Sequence, residues 1–312
     1  MQIHSEGERL NDRYRIIRKV GGGGFGVVYR AIDEEQDNRD VAIKQLVLDK
    51  IQQTSHLQAK NLFLREAMIL TKLDHPHLPR VSELFEYKDI LYIVMDFIEG
   101  QHLDDYAGAK PDLRLSEAEA LQVMLPVLDA LSYLHSQKPP ILHRDIKPSN
   151  IIRTNSGKIY VVDFGMAKIT TRDTYNEGGR RAQPTAPFHS AGFSAPELYR
   201  QAADIPSDLY SFGATLYNLV TNKIPIPDQS ITEPYLSTQM AQTLTRLLKS
   251  DPRNRFQNAK EVKQALDLKP RVQRKFLLFL MPPFMIIGIF FSSIIYHRLM
   301  SLSHHQHPLR LS

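Results

Sequence analysis

The sequence predicts an α+β fold in two unequal parts, a small strand-rich one and a larger helical one, followed by a single membrane-crossing helix. Three observations predict it. Residues 14–97 are rich in β-branched and aromatic runs. From about 98 to 268 apolar residues recur at helical spacing. Residues 276–296 form 21 consecutive positions without a charge.

The elements follow in chain order. Residues 1–13 are polar, carry no apolar leader, and are expected to be loose. Strands are expected over Tyr14 to Val20, Val27 to Ala31, Val41 to Leu46, Val81 to Tyr87 and Ile90 to Asp96. One helix interrupts them: in Asn61 to Leu73 the apolar Leu62, Met68, Ile69 and Leu73 recur around Arg65 and Glu66. Helices are expected over Ser116 to His135, Asp208 to Thr221 and Ser237 to Lys249. No internal repeat or low-complexity tract is visible.

The uncharged run Phe276 to Tyr296 is long enough, at 1.5 Å per residue, to cross a hydrocarbon core of about 30 Å. Pro282 and Pro283 interrupt it, and membrane helices tolerate such residues. Four Lys or Arg lie in the seven residues before it (269–275) and two in the 16 after it, so residues 1–275 are expected in the cytoplasm with a short tail, 297–312, outside. That tail is too short for a domain with a core. Its histidines at 297, 304, 305 and 307 are assigned no metal site.

Composition narrows the function classes. Hydrophobic residues make up 42% and charged residues 23%, the balance of a globular chain. Cysteine is absent, which excludes disulfides and thiolate metal sites and fits a reducing compartment. The net charge of +5 invites a nucleic-acid reading, but six basic and no acidic residues follow Leu268, leaving 33 basic against 34 acidic residues before it. The main domain is near neutral, so no nucleic-acid partner is expected.

Gly21-Gly22-Gly23-Gly24-Phe25-Gly26 fits two readings, since a glycine turn after a strand serves dinucleotide folds and phosphate-covering hairpins alike. A dinucleotide unit needs a helix at the third glycine, whereas Val27-Val28-Tyr29-Arg30-Ala31 continues as strand. The hairpin reading therefore leads. Lys44, in Val41-Ala42-Ile43-Lys44, can place an ammonium on phosphates if a carboxylate holds it, and Glu66 is the candidate partner. In His143-Arg144-Asp145-Ile146-Lys147-Pro148-Ser149-Asn150, Asp145 can orient a hydroxyl nucleophile and take its proton, and Lys147 can offer charge to a transferring phosphoryl group. Asn150 and Asp163, the latter in Asp-Phe-Gly 13 residues on, supply hard oxygen ligands for magnesium.

This ordered set, completed by Ala195-Pro196-Glu197, resembles the eukaryotic-type protein kinase superfamily over roughly residues 14 to 268. The resemblance implies a bilobal kinase fold, with an N-lobe over 14–97 and a C-lobe over 98–268, that uses ATP with Mg2+ or Mn2+. It implies nucleotide contacts from Val20, Gly21, Gly22, Gly23, Gly24, Phe25, Gly26, Val28, Ala42 and Lys44. Met95 is implied as gatekeeper, and Asp96 to Ile98 as the hinge that bonds adenine. It implies a buried Glu197–Arg255 ion pair and an Asp208 that braces the catalytic loop. Asp-Ile-Lys-Pro-Ser-Asn resembles the serine/threonine subgroup, and Ser190 stands where that subgroup usually has Thr. Arg144 implies regulation by a phosphate on the activation segment, where Thr170, Thr171, Thr174 and Thr185 are the candidates. The single C-terminal anchor resembles bacterial members, with serine- or threonine-bearing proteins as substrates. The alternatives are a membrane-tethered pseudokinase scaffold, which predicts loss of Lys44, Asp145, Asn150 or Asp163, and a small-molecule kinase, which Lys147 and the Ala-Pro-Glu segment disfavour. The uncharged run has one glycine, Gly288, and offers no dimer motif.

Overall fold

A computed structural model describes residues 4–22, 26–47, 60–61, 63–64, 67–68, 70–163, 168–169, 192–199 and 203–267. Its first part is a six-stranded antiparallel sheet of β1 (Arg9–Leu10), β2 (Tyr14–Gly22), β3 (Gly26–Asp33), β4 (Arg39–Leu46), β5 (Val81–Tyr87) and β6 (Ile90–Asp96), in the order β1-β2-β3-β4-β6-β5. Period-2 alternation gives the sheet two apolar faces. Tyr14, Ile16, Tyr29, Ile43, Tyr92 and Val94 fill one. On the other, Leu46, Leu91 and Ile93 pack against Phe63 and Ala67 of the intervening helical residues. Helical geometry is described at positions 60, 61, 63, 64, 67, 68 and 70 and gives way to a turn at 71–72, so Leu73, expected in the helix, lies beyond its end.

Residues 4–13, expected to be loose from their polarity, instead cap the first face. His4 is buried; its backbone N–H donates to the Tyr29 hydroxyl (3.2 Å), and its ring nitrogens meet Glu8 Oε1 (2.8 Å) and the Tyr92 hydroxyl (2.9 Å). Arg9 and Leu10 pair with Arg15 and Tyr14. The polar side chains find partners on an aromatic face, which composition alone does not show.

The second part is built on α1 (Leu103–Gly108), α2 (Glu117–Ser136), α3 (Ile205–Thr221), α4 (Thr238–Leu247) and α5 (Ala259–Leu266). Their starts are chemically marked. Ser116 and Glu119 form a capping box at α2, Asp204 caps α3, and Ser237 and Asn258 cap α4 and α5. α3 is buried along nearly its whole length, and Asn222 ends it in the left-handed conformation. Five strands of two to four residues were not expected in this part: β7 (Gly100–His102), β8 (Ile141–Leu142), β9 (Ile151–Thr154), β10 (Ile159–Val161) and β11 (Lys168–Ile169). They pair as β10-β9-β7 and β11-β8 and carry the loops of the site.

Backbone and side-chain hydrogen bonds help tie the parts together beside the chain crossing at 97–99. The Val161 N–H donates to the His77 carbonyl (2.9 Å), and His77 Nδ1 donates to the Ile159 carbonyl (2.8 Å). The Asp74 N–H donates to the Tyr133 hydroxyl (3.0 Å). Among the described residues no helix is long and apolar enough to cross a membrane; the span expected at 276–296 lies outside them.

Candidate active site

The loop between β8 and β9 takes its shape from a carboxylate behind it. Asp208 of α3 is fully buried and accepts three hydrogen bonds, from the His143 N–H (2.9 Å), the Arg144 N–H (2.7 Å) and His135 Nε2 (2.9 Å). Burial alone would raise its pKa; the His135 hydrogen bond, the charges of His135 and His143 and the Arg144 N–H outweigh that and hold it below its ordinary value. Arg144 is thereby fixed at φ 68°, a region a long side chain rarely occupies. Thr215, also on α3, donates to the Ile146 carbonyl (3.1 Å). α3 thus grips the loop on both sides of Asp145.

Asp145 is 8% exposed. Its Oδ2 lies 2.9 Å from Lys147 Nζ and 2.9 Å from Asn150 Nδ2, which also donates to the Asp145 carbonyl (2.8 Å). These contacts set the carboxylate's direction beside a cation. Since Asn150 spends its amide donor on Asp145, its side-chain oxygen is left without a hydrogen-bond partner among the described residues. The Val162 N–H donates to the Asn150 carbonyl (2.9 Å), which brings the neighbouring Asp163 alongside. Asp163 has φ 63° and a half-exposed carboxylate, 3.1 Å from Lys44 Nζ. One amide oxygen and one carboxylate are both hard ligands, and this donor set fits Mg2+.

Lys44 reaches Asp163 from β4 of the sheet, so the two parts meet at an ion pair. Val28 pairs with Lys44, and Ala42 pairs with Met95, which places the four around one end of the sheet. The glycine segment is the β2–β3 hairpin: Gly21 pairs with Val28 and Gly22 with Val27. That arrangement excludes the dinucleotide alternative, which needs a helix there. A side chain on Gly26 would press on the Gln45 carbonyl at 3.0 Å and on Lys44, whereas one on Gly21 would meet nothing within 4 Å. A side chain at 26 would therefore crowd the neighbouring strand, while Gly21 leaves open space. Val20 is half-buried at the hairpin's approach.

At the crossing, Asp96 commits its N–H to the Arg80 carbonyl (2.9 Å), and its carboxylate binds the Arg80 N–H (3.1 Å) and Arg39. Ile98 has no backbone hydrogen bond among the described residues, which leaves its N–H and C=O for a planar ligand's edge. Burial holds the His143 and Arg144 pKa values down against nearby carboxylates. Further off, Arg255 and Glu197 form a bidentate buried pair (2.7 and 2.7 Å), and Arg255 also donates to the carbonyls of Lys249, Pro206 and Ser250.

The structure therefore brings together Lys44 with Asp163, and Asp145 with Lys147 and Asn150. Glu66, Gly23, Gly24, Phe25, Ser190 and the four threonines of 170–185 lie outside the described residues. Sequence reasoning missed His135, Thr215 and His77, each of which acts through a partner distant in sequence.

A family model described as protein kinase domain matches residues 14–278. The chain is similar to serine/threonine-protein kinase PrkC of Bacillus subtilis (strain 168), 36% identical over 238 residues covering 76% of this chain and 35% of that protein. It is also similar to serine/threonine-protein kinase C of Synechocystis, 35% identical over 276 residues covering 82% and 50%. Among solved structures, the PpkA-294 apo form matches with a TM-score of 0.70 at 26% identity, covering 85% of this chain and 99% of that one. The PknI kinase domain of Mycobacterium tuberculosis, in a form carrying a single substitution, matches with a TM-score of 0.65 at 25% identity, covering 85% and 98%. The chain spans 35% to 50% of the length of these two curated relatives.

Proposed function

This chain belongs to the protein kinase family, and on that premise we propose that it transfers the γ-phosphoryl group of ATP to serine or threonine hydroxyls of proteins. The observation that carries the reading is the Asp145 carboxylate, nearly buried and held at 2.9 Å by both Lys147 and Asn150. Asp145 orients the acceptor hydroxyl and takes its proton as the new O–P bond forms; the bond from the γ-phosphorus to the bridging oxygen breaks and ADP leaves. Lys147 offers positive charge to the phosphoryl group in transit. Lys44, fixed beside Asp163, neutralises the remaining phosphates, and the β2–β3 hairpin covers them. Asn150 and Asp163 would hold Mg2+, which neutralises phosphate charge when bound. The names of the curated relatives support Ser/Thr as acceptors.

The test is transfer from labelled ATP to a generic basic protein by the purified chain, beside Asp145→Asn. A loss of about 10²–10⁴-fold in the variant supports the assignment of the base. Nucleotide binding without transfer by the parent would turn the reading to a scaffold.

Two finer readings go with it. Arg144 is largely buried and its Nε lacks a hydrogen-bond partner among the described residues, which supports a phosphate on Thr170, Thr171, Thr174 or Thr185 as its counter-charge. Alanine at all four with full activity sinks that idea. The uncharged run 276–296 and its basic flank support single-pass anchoring with the kinase part cytoplasmic. Fractionation decides it: release of the chain by alkaline carbonate refutes the anchor.

A further inference from the structure

Between α3 and α4 the chain runs from 222 to 237 without helix or strand, with prolines at 225, 227 and 234. Five large apolar side chains are exposed among the described residues, and three belong to this segment: Ile224 (51%), Ile226 (67%) and Tyr235 (43%). A fourth, Leu113, adjoins Arg114, whose guanidinium lies 4.0 Å over the Tyr235 ring. Exposed apolar groups that cluster, rather than scatter singly, mark contact surfaces.

The segment is pinned. Lys223 and Glu233 pair at 2.9 Å across it, and the Asn218 side chain donates to the Lys223 carbonyl (3.2 Å). The Asp228 N–H donates to the Leu248 carbonyl (3.0 Å), and Asp228 Oδ1 accepts the Ser250 N–H (3.1 Å). A turn closed between Ile226 and Gln229 completes it. Two isoleucines are thus presented outward on a fixed backbone, which removes much of the ordering cost of binding.

Its position names the occupant. A methyl group on Gly192 would strike Ile224 Cγ2 at 2.4 Å, so Ile224 rests against the chain just before Ala195-Pro196-Glu197. Glu197 of that segment accepts the Ser207 hydroxyl (2.8 Å) from α3, the helix whose Asp208 and Thr215 hold the Asp145 loop, so the isoleucines stand on the same frame as the proposed acceptor site. Three part-exposed side chains offer roughly a few hundred Å² at most, well below the about 800 Å² per partner of a stable self-association. A transiently bound substrate needs no more.

Resting on the kinase reading, we propose that Ile224 and Ile226 form a docking shelf for one apolar side chain of the protein substrate, at a fixed spacing from the acceptor hydroxyl. The substrate class is proteins with a leucine-like residue at that spacing. The test uses the full chain and a serine peptide in an alanine/lysine background, with a single leucine moved through every position on both sides of the serine. Leucine at one register is expected to raise kcat/KM about fivefold or more. Ile226→Asp, and separately Ile224→Asp, abolish that gain while the leucine-free peptide is phosphorylated at the parental rate. The shelf is overturned if no register responds, if the gain survives both variants, or if Ile226→Asp slows all peptides equally. It is also overturned if Ile226→Asp changes only the sedimentation coefficient, which makes the face a self-association surface. A parent no more active on any peptide than Asp145→Asn overturns the kinase reading itself, and the shelf with it.

Discussion

Replacing Asp208 by Asn tests whether α3 holds the catalytic loop through one buried carboxylate. Its Oδ2 serves the His143 N–H and His135 Nε2, and its Oδ1 serves the Arg144 N–H. An amide keeps one acceptor oxygen, and the less costly orientation leaves that oxygen on the two-donor side. Its NH2 then faces the Arg144 N–H. One stranded buried donor costs about 1–3 kcal/mol, and the two remaining bonds lose their charge assistance, about 0.5 kcal/mol or more each. The sum is roughly 2–4 kcal/mol, or about 4–16 °C in Tm for a domain of this size. Activity falls further than stability, because Arg144 is no longer held at φ 68° and Asp145 follows it in the chain. Asp208→Ala strands all three donors and is expected to cost more than Asn. The pH dependence has a definite sign: the folded-state pKa of Asp208 lies below its ordinary value, so its contribution is full above about pH 4 and is lost as pH falls through the folded value. Thermal unfolding with parallel kcat measurement is the assay. A Tm within about 2 °C of the parent, or Ala no worse than Asn, would refute the bracing argument.

Glu197→Gln leaves the fully buried Arg255 guanidinium without its counter-charge and should cost about 3–5 kcal/mol in chemical denaturation, and a loss below about 1 kcal/mol would show that the pair contributes little to the fold. Gly213→Ala places a methyl 2.6 Å from Leu247 Cβ where α3 meets α4; overpacking of about 1–3 kcal/mol outweighs a helix-propensity gain near 1, so Tm should drop. Gly21→Ala, with open space around it, should leave Tm unchanged and raise the KM for ATP, and equal KM values would remove Gly21 from the nucleotide site. Burial, aided at His75 by the charge of His77, holds His75 and His143 below the ordinary imidazole pKa. The unfolded chain therefore binds more protons below about pH 6.5, and stability should fall from about pH 7 to 5, which a flat melting profile contradicts.

The strands of the first part were legible because they are runs of β-branched and aromatic residues, many of them buried, as with Tyr14 and Ile16 or Tyr92 and Val94. Even β5 and β6 could be delimited, although their turn, Lys88-Asp89, has φ 50° and 62° and none of the glycine that such turns favour. The N-terminal segment was misread for the opposite reason. Glu8 and His4 look solvated in composition, yet His4 closes onto hydroxyls of Tyr29 and Tyr92 that lie 25 and 88 residues away, and Glu8 closes onto the His4 ring. The short strands β7 to β11 hold too few residues to show any period.

The site divides along the same line. Asp145, Lys147, Asn150 and Asp163 could be read because phosphoryl transfer demands particular groups at close sequence spacing, and the structure joins the first three at hydrogen-bond distance. What makes them a site is less local. Asp208 sets the backbone before Asp145, Thr215 sets the carbonyl after it, and both stand two turns apart on a helix with almost no exposed surface. A helix buried on every side gives no amphipathic stripe, so its pattern does not mark the residues that grip a loop 64 to 69 residues earlier; the family resemblance named Asp208, and Thr215 was missed. His135 completes Asp208 from a third element for the same geometric reason. The reactive groups obey chemistry, which is written in residue type; the frame that aims them obeys packing, which appears only when distant segments are placed together.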